Sequence, residues 1–287
     1  MGLLRAAIIH GGGPTAVLNA SLAGVVDGCG ELYDSQGRDL VQVGGKTLAG
    51  IALSPGSVIG SSRQKPDFGR ILEDCRRHDI QTVFYTGGNG TMRAALELSR
   101  DLQVIGIPKT IDNDLMVTHH TPGYASTAYF FACAARDVGA DNRSLPSPIC
   151  VLETLGRNAG WVAAATSFAR VMPDDAPHLI YFPERLPDID RIAADVESVY
   201  RRIGRVVIAV CEGHPGGDLL AKLLAEKLGL RARFEKPGLL GRSCGPYARE
   251  RDRREAYTCG RAAVDAAAAG HTAVMIALAE DGSTFLT

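Results

Sequence analysis

Ile105-Gly106-Ile107-Pro108-Lys109-Thr110-Ile111-Asp112-Asn113-Asp114 is the stretch that sets the reading of this chain. The apolar run Val104, Ile105, Ile107 has the character of a buried parallel strand, and Pro108 ends it because proline cannot donate to a ladder. A cation, a hydroxyl and two carboxylates follow at once. Lys109 suits a phosphate and Thr110 can donate to one. Asp112 supplies a possible general base and Asp114 a possible Mg²⁺ ligand. Asp and Asn after a strand are also ordinary turn residues, which is the plain alternative. That alternative weakens at Gly87-Gly88-Asn89-Gly90-Thr91, a second polar, glycine-rich segment behind a second buried-strand pattern, Thr82-Val83-Phe84-Tyr85.

Working outward, short β-branched runs alternate with amphipathic stretches, the signature of an α/β chain with mainly parallel sheets. Strands are predicted at 6–9, 82–85, 104–107, 149–152, 178–182, 206–210 and 273–278. Helices are predicted at 16–29, 70–78, 91–100, 124–139, 160–170, 189–203 and 255–269. Ligands of parallel sheets sit beyond the carboxyl ends of the strands. The chemically loaded residues fall there: Gly11 after the first strand, Gly87, Thr110, then Gly156 and Glu212 after two later ones.

Composition is that of an average globular protein: 287 residues, 46% hydrophobic and 22% charged. A net charge of −1 argues against nucleic-acid binding by bulk basicity. No apolar run approaches the roughly 20 residues that span a bilayer. Met1-Gly2 lacks the rest of a myristoylation signal, with Ala6 where Ser or Thr is expected. Seven scattered cysteines, none spaced Cys-x-x-Cys, fit reduced thiols and a cytoplasmic location rather than disulfides or a zinc site.

Gly11, Gly12 and Gly13 give a backbone able to approach a phosphate closely, although a simple strand-to-helix turn has the same composition. The spacing is neither a Walker A loop nor a complete dinucleotide fingerprint. His119-His120 is expected to serve the loop rather than a metal, Trp161 to pack in the core behind Gly160, and Arg249–Arg254 to form a solvated helix start.

These residues resemble the phosphofructokinase family, and more closely its pyrophosphate-dependent branch. The resemblance rests on Gly11–Ala20, Gly60-Ser61-Ser62-Arg63, Gly87–Thr91, Pro108–Asp114, His120–Gly123, Leu155-Gly156-Arg157-Asn158-Ala159-Gly160-Trp161 and Cys211-Glu212-Gly213, in that order. It implies a phosphofructokinase-like fold of two Rossmann-like lobes with the active site in the cleft between them. Residues 1–123 plus 241–287 would form the phosphoryl-donor lobe and 124–240 the sugar-phosphate lobe. It implies transfer from pyrophosphate or ATP to the 1-hydroxyl of fructose 6-phosphate or a related sugar phosphate, with Mg²⁺. Asp112 would be the base, with Thr110 and Lys109 beside it. Gly11, Gly12, Arg63, Gly88, Asn89, Gly90 and Thr91 would hold donor phosphate. Asp114, Leu155, Gly156, Arg157, Glu212, Arg233 and Arg242 would hold the acceptor, and Asn89 and Asp114 the metal. Because the family supplies the arginine at the Arg233 position from a neighbouring subunit, a homodimer or homotetramer is implied.

The chain also departs from the family. Asn89 resembles a pyrophosphate-using subgroup and Gly90 the ATP users. Lys109 is typical of pyrophosphate enzymes. The segment between Gly30 and Leu53 reads as too short for the usual second strand and adenosine-side loop, and Ala94 replaces a glycine that ATP users often have. Pro148 and Leu239 stand where an arginine and a polar residue often meet the sugar phosphate. A catalytically weakened sugar-phosphate sensor is therefore a competing reading.

Overall fold

The computed structural model describes residues 5–34, 38–40, 47–213 and 216–287; the Met1-Gly2 reading and part of the 30–53 segment lie outside them. The described chain divides into two compact units, residues 1–125 with 243–287, and residues 126–242.

The first unit is built on β1 (Arg5–His10), β2 (Glu31–Tyr33), β3 (Thr82–Gly87), β4 (Gln103–Pro108), β9 (Val274–Leu278) and β10 (Thr284–Leu286), in the order β10-β9-β4-β3-β1-β2. All neighbours are parallel except β10, which returns antiparallel on β9. Helix α1 (Leu18–Gly28) joins β1 to β2, and α4 (Asn89–Leu98) joins β3 to β4. Because these connections leave β1 and β3 in opposite directions, the ends of those two strands form the crevice where α/β sheets bind ligands. Register sharpens the point: His10 pairs Thr86 and Gly87 pairs Pro108, so the Gly11, Gly88 and Lys109 positions emerge side by side.

The second unit has a four-stranded parallel sheet in the order β6-β7-β5-β8, with β5 (Ile149–Thr154), β6 (Leu179–Tyr181), β7 (Val206–Cys211) and β8 (Ala232–Glu235). Thr154 pairs Cys211, which sets Leu155 beside Glu212. Helices α5 (Tyr124–Asn142), α7 (Ile189–Ile203) and α8 (Gly217–Leu228) complete it.

Several expectations change. A second strand exists in the short 30–53 segment, as β2 parallel to β1. The helix expected over 160–170 is a five-residue α6 (Trp161–Ala165) followed by a 3₁₀ turn, Thr166–Ala169. Thr166 Oγ1 donates back to Ala163 O at 2.5 Å, a local bond that competes with helix continuation. Trp161 is 52% exposed rather than core, because it begins this short helix. The side chain that crowds Gly160 is Phe182, 2.6 Å from where a methyl group would stand. The last helix, α9 (Glu250–Ala268), starts five positions before the expected one, and the basic run at its start contains a buried Asp252. The helices Thr47–Leu53 (α2) and Phe68–Arg77 (α3) lie before and after residues 60–63 in sequence.

In the first unit α1 and α9 cross in close backbone contact. A methyl group at Gly24 would lie 2.1 Å from Tyr257 O, and one at Gly260 2.1 Å from Ser21 O. Each backbone fills the space left by the other helix's missing side chain, and neither contact can yield without moving a helix. Gly260→Ala should therefore cost about 1–3 kcal/mol of stability through overpacking, measured by urea unfolding. Gly50→Ala, in α2 with no atom within 4 Å, should stabilise by about 0.5–1 kcal/mol from helix propensity. Gains at both positions would contradict the crossing.

Candidate active site

The site in the first unit grows from the ends of β1, β3 and β4. Gly11 N donates to Thr86 O and Gly12 N to Ser62 O, both at 2.8 Å, which lays residues 60–62 alongside the glycine turn. Ser61 Oγ donates to Gly12 O at 2.6 Å, and this pairing carries the exposed Arg63 to the same edge. Asn19, fully buried, braces the preceding segment, donating to Ser54 O at 3.0 Å and accepting from Val58 N at 3.1 Å. Thr91 is wedged between glycines: methyl groups at Gly11 and Gly87 would stand 2.3 and 2.1 Å from its hydroxyl oxygen.

Lys109 is not a surface lysine. Its side chain is 3% exposed, and Nζ donates to Gly11 O at 2.8 Å and Gly13 O at 2.7 Å. Gly12, between those carbonyls, has φ +78°, a conformation that suits glycine, and a methyl group there would sit 3.3 Å from Nζ. The ammonium thus fixes the turn and places its charge directly behind it.

Downstream, Asp112 N donates to Thr110 Oγ1 at 3.0 Å. Asn89 Nδ2 donates to Asp114 Oδ2 at 2.9 Å, tying the start of α4 to the loop after β4. Gly88 precedes that helix as its cap, and Gly90 faces open space, with no atom within 4 Å of a methyl group there. The structure therefore brings together Gly11, Gly12, Arg63, Gly88, Asn89, Gly90, Thr91, Lys109, Thr110, Asp112 and Asp114 within one unit. Ala94 is buried in the core cluster with Val83, Tyr85 and Val104. His119 and His120 pair with each other at 3.0 Å, and His120 pairs with Glu255.

In the second unit Arg157 and Glu212 line one cavity of about 520 Å³ with Glu153, Asn158, Tyr181 and Lys236. Gly156 has φ +101° and sits against Ala159 O, a turn that exposes Arg157 behind the buried Leu155. Glu153 and Lys236 were not apparent from sequence. Buried Glu153 accepts from Gly217 N at 2.7 Å and from Lys236 Nζ at 2.6 Å. It thereby ties the start of α8 to the end of β5. The hydrogen bond to Glu153, and then its charge, raise the Lys236 ammonium above its ordinary value. Arg233 pairs with Asp141 and, at 3.9 Å, with Glu235, and it does not line this cavity. Arg242 is half-buried at the end of a 3₁₀ turn whose Gly241 packs on Phe131.

Comparison with known proteins adds an independent line. The phosphofructokinase family model matches residues 5–267. A curated relative named pyrophosphate–fructose 6-phosphate 1-phosphotransferase, from Rhodospirillum rubrum, is 34% identical over 93% of this chain and 80% of its own length. A sulfofructose kinase from Alkalicoccus urumqiensis is 31% identical over 95% of this chain and 83% of its own. The solved structure of a pyrophosphate-dependent phosphofructokinase from Nitrosospira multiformis superimposes with a TM-score of 0.90 at 29% identity, covering all of this chain and 82% of that one.

One buried group beside the glycine turn gives a direct test. His10 Nδ1 lies 2.8 Å from Ser57 Oγ, which itself donates to Gly60 O at 2.6 Å. Nδ1 therefore carries a ring proton and donates to Ser57. Burial, and then the Lys109 charge, push the imidazole pKa down to about 3. An unfolded His, near 6.5, takes up a proton that the folded site rejects. Stability from this residue is full above about pH 6.5 and falls as pH drops toward 3. Between pH 7 and 5 the loss should be about 2 kcal/mol. His10→Asn, which keeps a donor to Ser57, should flatten that stretch of the stability profile; equal slopes would contradict the assignment.

Proposed function

The chain belongs to the phosphofructokinase family, and from that premise we propose that it transfers a phosphoryl group from pyrophosphate to the 1-hydroxyl of fructose 6-phosphate or a related sugar phosphate. The observation that carries this reading is the register-driven convergence of the glycine turn, the start of α4 and the Lys109–Asp114 loop. That edge offers backbone amides and a fixed cation to phosphate, with a carboxylate close by.

In the proposed step the acceptor hydroxyl oxygen attacks the terminal phosphorus of the donor, the bridging P–O bond breaks, and orthophosphate leaves. Asp112 takes the hydroxyl proton. The Lys109 charge, Arg63 and the first turn of α4 oppose the negative charge that builds on the transferred group. Arg157 and Glu212, sharing one cavity of the second unit, suit the acceptor: a guanidinium fork for phosphate oxygens and a carboxylate for sugar hydroxyls.

Mg²⁺ belongs to the same proposal. Among the described residues no cluster of three or more His, Cys, Asp or Glu side chains stands ready for a metal. The oxygens of Asp114 and Asn89 fit an ion that takes its remaining ligands from donor phosphates and water. When bound, such an ion neutralises charge on those phosphates.

The names of the closely matching relatives support pyrophosphate, and Asn89 and Lys109 agree with it; Gly90 is the feature shared with ATP users. The sulfofructose kinase relative supports a sulfonated sugar as a second acceptor. A closed homo-oligomer is part of the proposal too, supported by the strongly exposed Phe168, Val171 and Met172.

A phosphoryl-transfer screen crossing pyrophosphate and ATP with fructose 6-phosphate and sulfofructose tests the reading. Pyrophosphate should be the better donor, and Asp112→Asn should lower kcat by about 10²–10⁴-fold with acceptor binding retained. No transfer from either donor, or wild-type turnover in the variant, would contradict it.

A further inference from the structure

The loop that carries Asp112 is strained, and what holds it comes from another part of the chain. Asn113 and Val117 adopt φ +54° and +73°. Such conformations cost of order 1–3 kcal/mol each and persist only where neighbours enforce them. Here the neighbours are identifiable. Thr121 Oγ1 donates to Thr110 O at 2.8 Å and Thr121 N donates to Asn113 Oδ1 at 3.0 Å, so one residue grips the chain on both sides of Asp112. The residues flanking Thr121 are gripped in turn by α9. Gly123 N donates to the buried Asp252 Oδ1 at 2.8 Å, and His120 Nε2 lies 2.9 Å from Glu255 Oε2.

We propose that His120, held by Glu255, is a positioning residue for Asp112: it locks Thr121, and through Thr121 it fixes the backbone that aims the carboxylate. The inference rests on the reading of Asp112 as the base.

The Glu255 carboxylate is well placed for this task. Arg251 Nε donates to its other oxygen at 2.7 Å, while Arg251 Nη2 donates to Glu280 O at 2.9 Å in the β9–β10 turn. Gly282 of that turn passes so close that a methyl group there would stand 2.8 Å from Glu255 Oε1. Burial alone would raise the Glu255 carboxyl, but the hydrogen bonds and charges of His120 and Arg251 outweigh it and hold it below its ordinary value. An ionised carboxylate therefore faces the imidazole at neutral pH. His120 Nδ1 in turn lies 3.0 Å from His119 Nδ1, so both ring nitrogens have a partner. His119 N donates to Leu278 O at 2.8 Å, and Leu278 N donates to Thr118 Oγ1 at 2.9 Å; both anchor the same turn to the end of β9.

A shift of about 1 Å in a catalytic group can cost about 10²-fold in rate while leaving binding intact. The test compares wild type, His120→Ala and His120→Gln by steady-state kinetics with both substrates varied, and by amide hydrogen exchange over residues 110–114. His120→Ala should lower kcat at least about tenfold with both KM values within about twofold, and should speed exchange at 110–114. His120→Gln, which keeps a donor for Glu255, should recover most of the loss in both readouts. Wild-type kcat in His120→Ala, or no recovery in His120→Gln, overturns the proposal. If His120→Ala does not fold, Glu255→Gln decides on the same two readouts, and wild-type values in it overturn the proposal. A wild-type protein that transfers no phosphoryl group to any acceptor sinks the reading of the site, and with it this role for His120. In that case faster exchange in His120→Ala would show that the tie holds the loop for some other purpose.

Discussion

A buried ammonium must find acceptors, and in this protein the acceptors of Lys109 are the carbonyls of the glycine turn. An uncompensated buried charge costs several kcal/mol, whereas each charge-assisted hydrogen bond returns about 1.5–3. Folding of the first unit therefore cannot bury Lys109 without also closing the turn around Gly12. The same contact pins the end of β4 to the end of β1, two strands that are not neighbours but flank β3. Thr91, seated between Gly11 and Gly87, fills the remaining space. Around this contact stand Ser61, Arg63 and the start of α4 beside the Lys109–Asp114 loop, and the Lys109 charge adds to the burial that keeps His10 neutral.

The second unit repeats the logic with opposite charge. Glu153, buried at the end of β5, takes a backbone amide from the start of α8 and the ammonium of Lys236. It thereby ties the start of α8 and Lys236 to the end of β5. In both units a buried ionic group at a strand end ties down segments that follow other strands of the same sheet. A parallel sheet favours this device, since its register brings such ends together and its crossovers carry the connecting helices away.

Much of this was legible in the sequence, for local reasons. The helix 189–203 stands where its period places it, because Asp188 caps it by accepting from Arg191 N and Gly204 ends it at φ +74°. The strands β3, β4, β5 and β7 are continuous apolar runs that nothing else suits. By contrast β8, with Ala-Arg-Phe-Glu, and the three-residue β10 lie at sheet edges and carry no apolar pattern. Trp161 was misread because a large apolar residue argues for burial only when its element is long enough to turn it inward. Residue types at the site were readable, since Lys109, Asp112 and Asn89 sit in short dense motifs. Their partners were not: Lys109 reaches back 98 positions to Gly11, and Glu255 reaches back 135 to His120. Glu153 and Asp252 look like any acidic residue until long-range contacts bury them.

Within this account the clamped glycine turn is the donor-phosphate site, and calorimetric titration of inorganic pyrophosphate, with Mg²⁺ present, tests that most directly. Wild type should bind, and Lys109→Met, which removes the charge and frees the Gly11 and Gly13 carbonyls, should bind at least about tenfold more weakly, the equivalent of losing one charge-assisted contact. Equal affinity in the two proteins would contradict the account, because it would mean that pyrophosphate does not depend on the turn that Lys109 holds.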